Sequence, residues 1–284
     1  FLVYSNVYAV VLIAALLLKS WAILGPGTPF FIPEVLLVLS ATLFLYPLHR
    51  VYGLRSIPEA FKSERHYFAE RHKKAMYTLV SLGALLSLWF VSKVSLAELW
   101  IHTPVGLLAL GYVLPVIPTR KGLLKLREVP FAKSVFIALV ASYLTVVFPY
   151  AGKADAGALG GLFFSSTFFL LAVTIPFDIR DYGGDKAAGL CTIPVKLGID
   201  KAIKMALFAN VLFTALNFVA FFFFDTYSLP VFIAVWMSEV VADVYIRKAK
   251  PMNTDLWYAV AIEGNIILQA ILVLAAVYLT PFFA

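Results

Sequence analysis

A chain of 284 residues that is 62% hydrophobic and 14% charged, with a mean hydropathy of +0.91, excludes a water-soluble domain, whose surface would need more charge. Its net charge of +7 does not mark a nucleic-acid partner, because basic loops facing the cytoplasmic leaflet of a membrane account for it. A single cysteine, Cys191, excludes an internal disulfide.

Apolar runs about twenty residues long recur along the chain, so lipid is the expected solvent. The first, residues 4–24, is followed by many others and reads as a spanning helix, not a signal peptide. The next eight cover 32–52, 74–93, 98–118, 131–151, 157–177, 202–224, 228–246 and 256–280. Prolines and polar residues punctuate the joints, as at Pro130, Pro149, Pro194, Asp225, Pro230 and Pro251. The expected fold class is therefore all-α: an integral membrane bundle of about nine transmembrane helices around a central cavity, with residues 1–284 forming one domain. With the connecting loops numbered in order, the even loops and their flanks hold 20 of the 23 lysines and arginines. Only Lys19, Lys93 and Lys153 fall on the odd side. This bias places the even loops and the N-terminus in the cytoplasm and the C-terminus outside. Trp21, Trp89 and Trp100 then lie near the outer interface.

Between the second and third spans, "SIPEAFKSERHYFAERHKK" (56–74) opens with Ser56, Pro58 and Glu59, a helix-start pattern, and carries Phe61 and Phe68 on one helical face. It predicts a short amphipathic helix, either a lid on the cavity mouth or an interfacial helix on the headgroups. After the sixth span comes "FDIRDYGGDKAAGLCTIPVKLG" (177–198). Asp178, Asp181 and Asp185 stand at i, i+3 and i+7, which puts three carboxylates on one face if the helix continues. Such a set repels itself unless a cation lies within it, and oxygen-rich clusters suit Mg²⁺. Arg180 and Lys186 are placed to take phosphate oxygens, while Gly183 and Gly184 let backbone approach a ligand. Charges merely solvated at a helix end are the alternative.

Residues 178–194 resemble the second aspartate-rich motif of the UbiA superfamily of intramembrane prenyltransferases, roughly D-x-R-D-x-x-x-D-x-x-x-G-x-x-T-x-P. Every defined position is present, through Gly189, Thr192 and Pro194. The resemblance implies a helical bundle binding an isoprenyl diphosphate at its cytoplasmic mouth, with Mg²⁺ held by Asp178, Asp181 and Asp185. It implies an apolar tunnel for the isoprenoid tail, open to membrane lipid, and transfer of the allylic group to a lipophilic acceptor. Asp181 and Asp185 take catalytic roles in that reading.

The family's first aspartate-rich motif, N-x-x-x-D-x-x-x-D, belongs at the end of the second helix. Here "LFLYPLHRVYGLRS" (43–56) puts Leu45 on the asparagine, His49 on the first aspartate and Gly53 on the second. Half the usual metal shell is missing, so Mg²⁺ use is expected only through a reduced site. His49 and Arg50 either bind diphosphate as cations, with His49 also a candidate proton donor or acceptor, or simply mark the end of the helix. The segment "YVLPVIPTRKGLLKLREVPFAKS" (112–134) resembles the family's Tyr…Pro…Lys/Arg segment and adds Tyr112, Arg120, Lys121, Arg127 and Lys133 as candidate substrate ligands. Glu239 and Asp243 share a face in the eighth span; Asp243 has Arg247 one turn on as a partner. Glu263 in the last span either holds the acceptor's polar head or pairs with a neighbouring helix. Three readings remain: prenyltransferase, isoprenoid cyclase on the same scaffold, and a non-catalytic lipid-binding or transport protein.

Overall fold

The structure, a computed structural model, describes residues 2–5, 7–53, 62, 64–119 and 122–280. Their helices, in chain order, are α1 (Val7–Leu24), α2 (Pro33–Gly53), α3 (Glu64–Arg71), α4 (Lys73–Val91), α5 (Leu96–Val113), α6 (Ala132–Tyr150), α7 (Ala156–Arg180), α8 (Tyr182–Ala187), α9 (Ile193–Leu197), α10 (Ile199–Phe224), α11 (Leu229–Arg247) and α12 (Asp255–Leu279). Among the described residues, eight of these (α1, α2, α4, α6, α7, α10, α11 and α12) are long and apolar enough to cross a membrane. The chain is an integral membrane helical bundle.

The fourth predicted span, 98–118, is α5, which begins two residues early and stops at Val113. Pro115 forbids its continuation, and the chain turns instead into a two-stranded antiparallel hairpin, Ile117–Thr119 with Gly122–Leu124. Composition gave no sign of these strands. Helix α5 starts with a capping box between Ser95 and Glu98, and it is tied to α6 by a 2.6 Å hydrogen bond between His102 Nδ1 and Tyr143 Oη.

Neighbouring helices pack in the order α4, α2, α1, α12, α11, α10, α7, α6, α5, a series that runs backward and forward through the sequence. Between lipid-exposed helices burial of apolar surface adds little, so close backbone approach has to supply the contact. Buried Ala202, Ala206 and Ala209 line one face of α10, which packs along α7. Gly83 does the same for α4: a Cβ there would come within 2.5 Å of the backbone of Phe44. That contact seats α2, whose last turn carries His49 and Arg50. Two helices carry a turn of π-helix, Tyr143–Val147 in α6 and Tyr258–Glu263 in α12.

Lys19, expected near the outer interface, is instead buried between helices, where its Nζ donates to Ser166 Oγ (3.0 Å) and Gln269 Oε1 (3.1 Å). At the end of the bundle opposite the aspartate motif, Lys153 pairs with Glu34.

Candidate functional site

The aspartate motif is built by a helix that almost continues. Helix α7 ends at Arg180, Asp181 has non-helical angles (φ −85°, ψ 4°), and α8 begins at Tyr182. The hydrogen bonds Asp181 N–Phe177 O (2.9 Å) and Asp185 N–Asp181 O (2.8 Å) bridge the break, so the three carboxylates stay on one side. Gly183 and Gly184 lie inside α8. The rest of the motif is scaffold: Gly189 adopts a left-handed φ of 69°, which ends the helix, and Pro194 sits in the first turn of α9, after Thr192.

A second segment docks beside it. Phe131 donates its backbone N–H to Cys191 O (3.0 Å) and itself has φ 61°, a conformation a bulky side chain adopts only where its surroundings impose it. Two residues on, at the start of α6, Lys133 reaches into the aspartate cluster. Its Nζ lies 3.0 Å from Asp178 Oδ1, 2.9 Å from Asp185 Oδ2 and 3.7 Å from Asp181 Oδ2. The second oxygen of Asp178 accepts a hydrogen bond from Ser134. Asp178 and Asp185 are 2% and 7% exposed, so each would be costly without these partners.

Asp181 serves a different set. Arg65, on α3, donates from a terminal guanidinium nitrogen to its Oδ1 at 2.7 Å, and Arg180 Nε donates to the same oxygen at 3.0 Å. Both arginines also lie near Asp255 Oδ1, at 3.8 Å from Arg65 and 3.7 Å from Arg180. The Arg180 guanidinium lies over Phe177 (4.7 Å) and Tyr258 (5.6 Å). Arg50 and Glu263 lie within electrostatic range of this pair. Burial alone would raise the Asp181 carboxyl, but Arg180, Arg65 and Lys133 hold it well below the usual carboxylate range. Asp185 is shifted the other way: burial pushes its carboxyl up, the Asp181 charge adds to that, and Lys133 only partly offsets it. His66, one residue after Arg65, is lowered to about 4 by burial and by the nearby Arg65 and Arg50.

The other expected residues divide. His49 and Tyr112 face each other at 6.3 Å between ring centroids, and Tyr112 stacks on Phe136 at 6.2 Å, which places an aromatic series from α2, α5 and α6 next to Lys133. Lys186 is exposed, its Nζ 5.9 Å from the Tyr182 ring. Asp243 pairs with Arg247 at 2.8 Å, as its spacing predicts. Glu239 lies on α11, where its carbonyl accepts from Asn210. Arg120 and Lys121 lie outside the described residues, as does the side chain of Arg127; so do Ser56, Pro58, Glu59 and Phe61. The helix expected after them is α3, anchored by Tyr4 Oη donating to Glu64 (2.6 Å). Sequence reasoning missed Arg65, Asp255 and Ser134 as site residues. The one signal was the position of Arg65 on a helix predicted near the cavity mouth.

Mg²⁺ does not fit this arrangement as the side chains stand. Among the described residues, no three or more His, Cys, Asp or Glu side chains are grouped to hold a metal. The Lys133 ammonium sits where the carboxylates converge, and a divalent ion ~4 Å from an ammonium is repelled by ~8 kcal/mol at an effective dielectric of ~20. A metal would enter this cage only if Lys133 left it.

Neither a family model nor a curated protein sequence matches the chain. Two solved structures do, over nearly their whole lengths. One is a digeranylgeranylglyceryl phosphate synthase, at TM-score 0.60 and 14% identity, covering 100% of this chain and 98% of that one. The other is a UbiA homolog from Archaeoglobus fulgidus, bound to DMAPP and Mg²⁺, at TM-score 0.57 and 16% identity, covering 96% of this chain and 98% of that one. The chain has the UbiA fold. The motif 178–194 occupies one end of that fold here.

Proposed function

We propose that the protein is a UbiA-type prenyltransferase that moves an isoprenyl group from an isoprenyl diphosphate to a lipophilic acceptor. The observation that carries this is the convergence of Arg65, Arg180 and Asp181 with the rest of the aspartate motif at one end of a full-length UbiA fold. The DMAPP bound by the Archaeoglobus homolog supports an allylic diphosphate as the donor. The diphosphate lies against Arg50, Arg65 and Arg180, with His49 at its edge. The tail follows the apolar and aromatic side chains beyond His49 and Tyr112. The bond between the allylic carbon and the diphosphate oxygen breaks, and its electron pair leaves with the diphosphate. The guanidiniums stabilise the charge that develops there. The acceptor supplies an electron pair to the allylic carbon and gives up a proton. Asp181 fixes Arg65 and Arg180, Asp178 and Asp185 fix Lys133, and Glu263, facing the arginines from α12, holds the acceptor's polar head. Mg²⁺, bound in the Archaeoglobus homolog, would supply further charge neutralisation if Lys133 vacated the cage. The charge bias of the loops puts the aspartate end and the N-terminus in the cytoplasm and the C-terminus outside.

The replacement of the first motif by Leu45, His49 and Gly53 is the observation that favours the other two readings, an isoprenoid cyclase on the same scaffold and a non-catalytic lipid-binding or transport protein. Thermal stability of the purified protein against geranylgeranyl diphosphate, followed by product analysis, tests the proposal. Ligand should raise the melting temperature of the wild type and not of Asp181→Ala, and a labelled isoprenyl group should appear on an added lipid acceptor. A cyclic product would favour the cyclase, and binding without turnover the lipid-binding protein. No stabilisation by a donor of any chain length would remove the diphosphate from the site.

A further inference from the structure

We infer that Lys133 is a built-in counter-ion that takes the place of a divalent metal, so that this site binds its diphosphate ligand without Mg²⁺. The inference rests on the prenyl diphosphate reading and adds to it the means by which the phosphates are held.

Four observations converge. The Lys133 ammonium is within 3.0 Å of Asp178 and 2.9 Å of Asp185, and 3.7 Å from Asp181, so one cation addresses all three motif carboxylates. Most of the other oxygens are also engaged: Asp178 Oδ2 accepts from Ser134, and both Asp181 oxygens accept from Arg180, with Arg65 also on Oδ1. The lysine is delivered by a strained turn, Phe131, pinned to the motif through Cys191. The residues that would complete a second set of metal ligands, at the end of α2, are His49 and Gly53, neither an acid.

The same cluster leaves donors for phosphate. Arg65 Nε is buried and makes no hydrogen bond among the described residues, having only the 3.8 Å approach to Asp255. A guanidinium carries five N–H donors, and the pairs with Asp181 and Asp255 use only part of those on Arg65 and Arg180. A phosphate oxygen can therefore join these arginines without displacing a carboxylate, in the bidentate manner that suits guanidinium. Metal-bridged binding brings phosphate to carboxylates through a shared cation. Here the carboxylates hold a lysine and two arginines, and the arginines are the groups left to meet the ligand.

The test separates metal from ligand. Melting temperature is measured for wild type, Lys133→Met and Lys133→Arg in detergent, first with Mg²⁺ alone, then with dimethylallyl or geranylgeranyl diphosphate in EDTA and in Mg²⁺. Wild type should be indifferent to Mg²⁺ alone and bind diphosphate equally well in EDTA. Lys133→Met empties the cage, so Mg²⁺ alone should raise its melting temperature by several degrees. Its diphosphate affinity should drop by roughly tenfold in EDTA and recover in Mg²⁺. Lys133→Arg keeps a cation and should stay metal-independent; it decides the matter if the methionine variant does not fold. Stabilisation of wild type by Mg²⁺ alone, or loss of its diphosphate binding in EDTA, overturns the inference. If no diphosphate binds under any condition the prenyl reading fails, and the response of wild type and the variants to Mg²⁺ alone still decides whether Lys133 stands in a metal's place.

Discussion

Lys19 is buried in this bundle and Lys133 half-buried, and the two are held in opposite ways. Lys133 has carboxylate oxygens at 3.0 and 2.9 Å and a third at 3.7 Å. Lys19 has no ion pair among the described residues; its partners are the neutral oxygens of Ser166 and Gln269, with the face of Phe169 at 5.7 Å. Gln269 is itself held, donating to Ser238 Oγ at 2.9 Å. The first lysine compensates charges that the fold has already placed. The second is a lone polar group that four helices have been built around. A buried cation is thus informative only with its partners: beside Asp178, Asp181 and Asp185 it reports on a site, and beside Ser166 and Gln269 it reports on packing.

The comparison is broken most severely at Lys133. Lys133→Met leaves Asp178 and Asp185 buried without their cation, and removing one member of a buried charged set costs about 3–5 kcal/mol. Unfolding in detergent in the absence of metal should show this as the largest loss of any single substitution in the cluster. Adding Asp185→Asn should recover part of it, because the second change removes a charge the first left uncompensated. A Lys133→Met protein as stable as wild type would mean the three carboxylates do not depend on the lysine.

Asp181 is next. Asp181→Asn keeps the shape and withdraws the charge shared by Arg65 and Arg180, so about 2–3 kcal/mol should be lost. The loss should fall on α3 in particular, since the bond from Arg65 spans 116 residues of sequence and ties that helix to the motif. Proteolysis near residues 64–71 should accelerate in the variant.

His66 sharpens the contrast through pH. Its folded value of about 4 lies below the ordinary 6.5, because burial and the Arg65 and Arg50 charges disfavour the imidazolium. The unfolded chain therefore binds more protons between these values, and stability must rise with pH across that window. The melting temperature should be unaffected by this group above pH 6.5, fall as pH is lowered from 6.5 to about 4, and level off below. His66→Gln should flatten that portion of the curve. An unchanged slope in the variant would assign the pH dependence to other groups.

Much of the fold was readable before any coordinates. The predicted spans fall within three residues of the observed helices at nearly every end, because apolar length and the alternation of basic loops are one-dimensional signals. The exception, α5, ran five residues long in the reading because Leu114 and Val116 are apolar and the stop comes from Pro115. The motif carboxylates were legible for the same reason: i, i+3, i+7 is a local pattern. What occupies them was not. Lys133 meets Asp185 across 52 residues, and 20 basic residues on that side of the bundle were equal candidates by composition. Asp255 was invisible as a site residue, and Arg65 had only its place on a helix predicted near the cavity mouth, because little in their neighbourhoods distinguishes them from solvated loop charges. Only the docking of Phe131 on Cys191 and of α3 across the bundle end selects them.

The smallest effect is expected at Lys19, and it is the control that gives the comparison its meaning. Lys19→Met removes two hydrogen bonds to neutral partners, and such bonds inside membrane bundles average about 0.6 kcal/mol each. It also removes the cost of keeping an ammonium buried without a counter-charge, and methionine fills a similar volume beside Phe169. The two changes oppose each other, so stability should move by less than about 1 kcal/mol in either direction. Gln269 keeps its bond to Ser238, so the substitution leaves no chain of broken partners behind it. Diphosphate binding should be unchanged, since the residue touches none of the groups at the aspartate end. A loss as large as that of Lys133→Met would show that neutral dipoles support a buried ammonium as strongly as carboxylates do, and the distinction between a site lysine and a packing lysine would then fail in this protein.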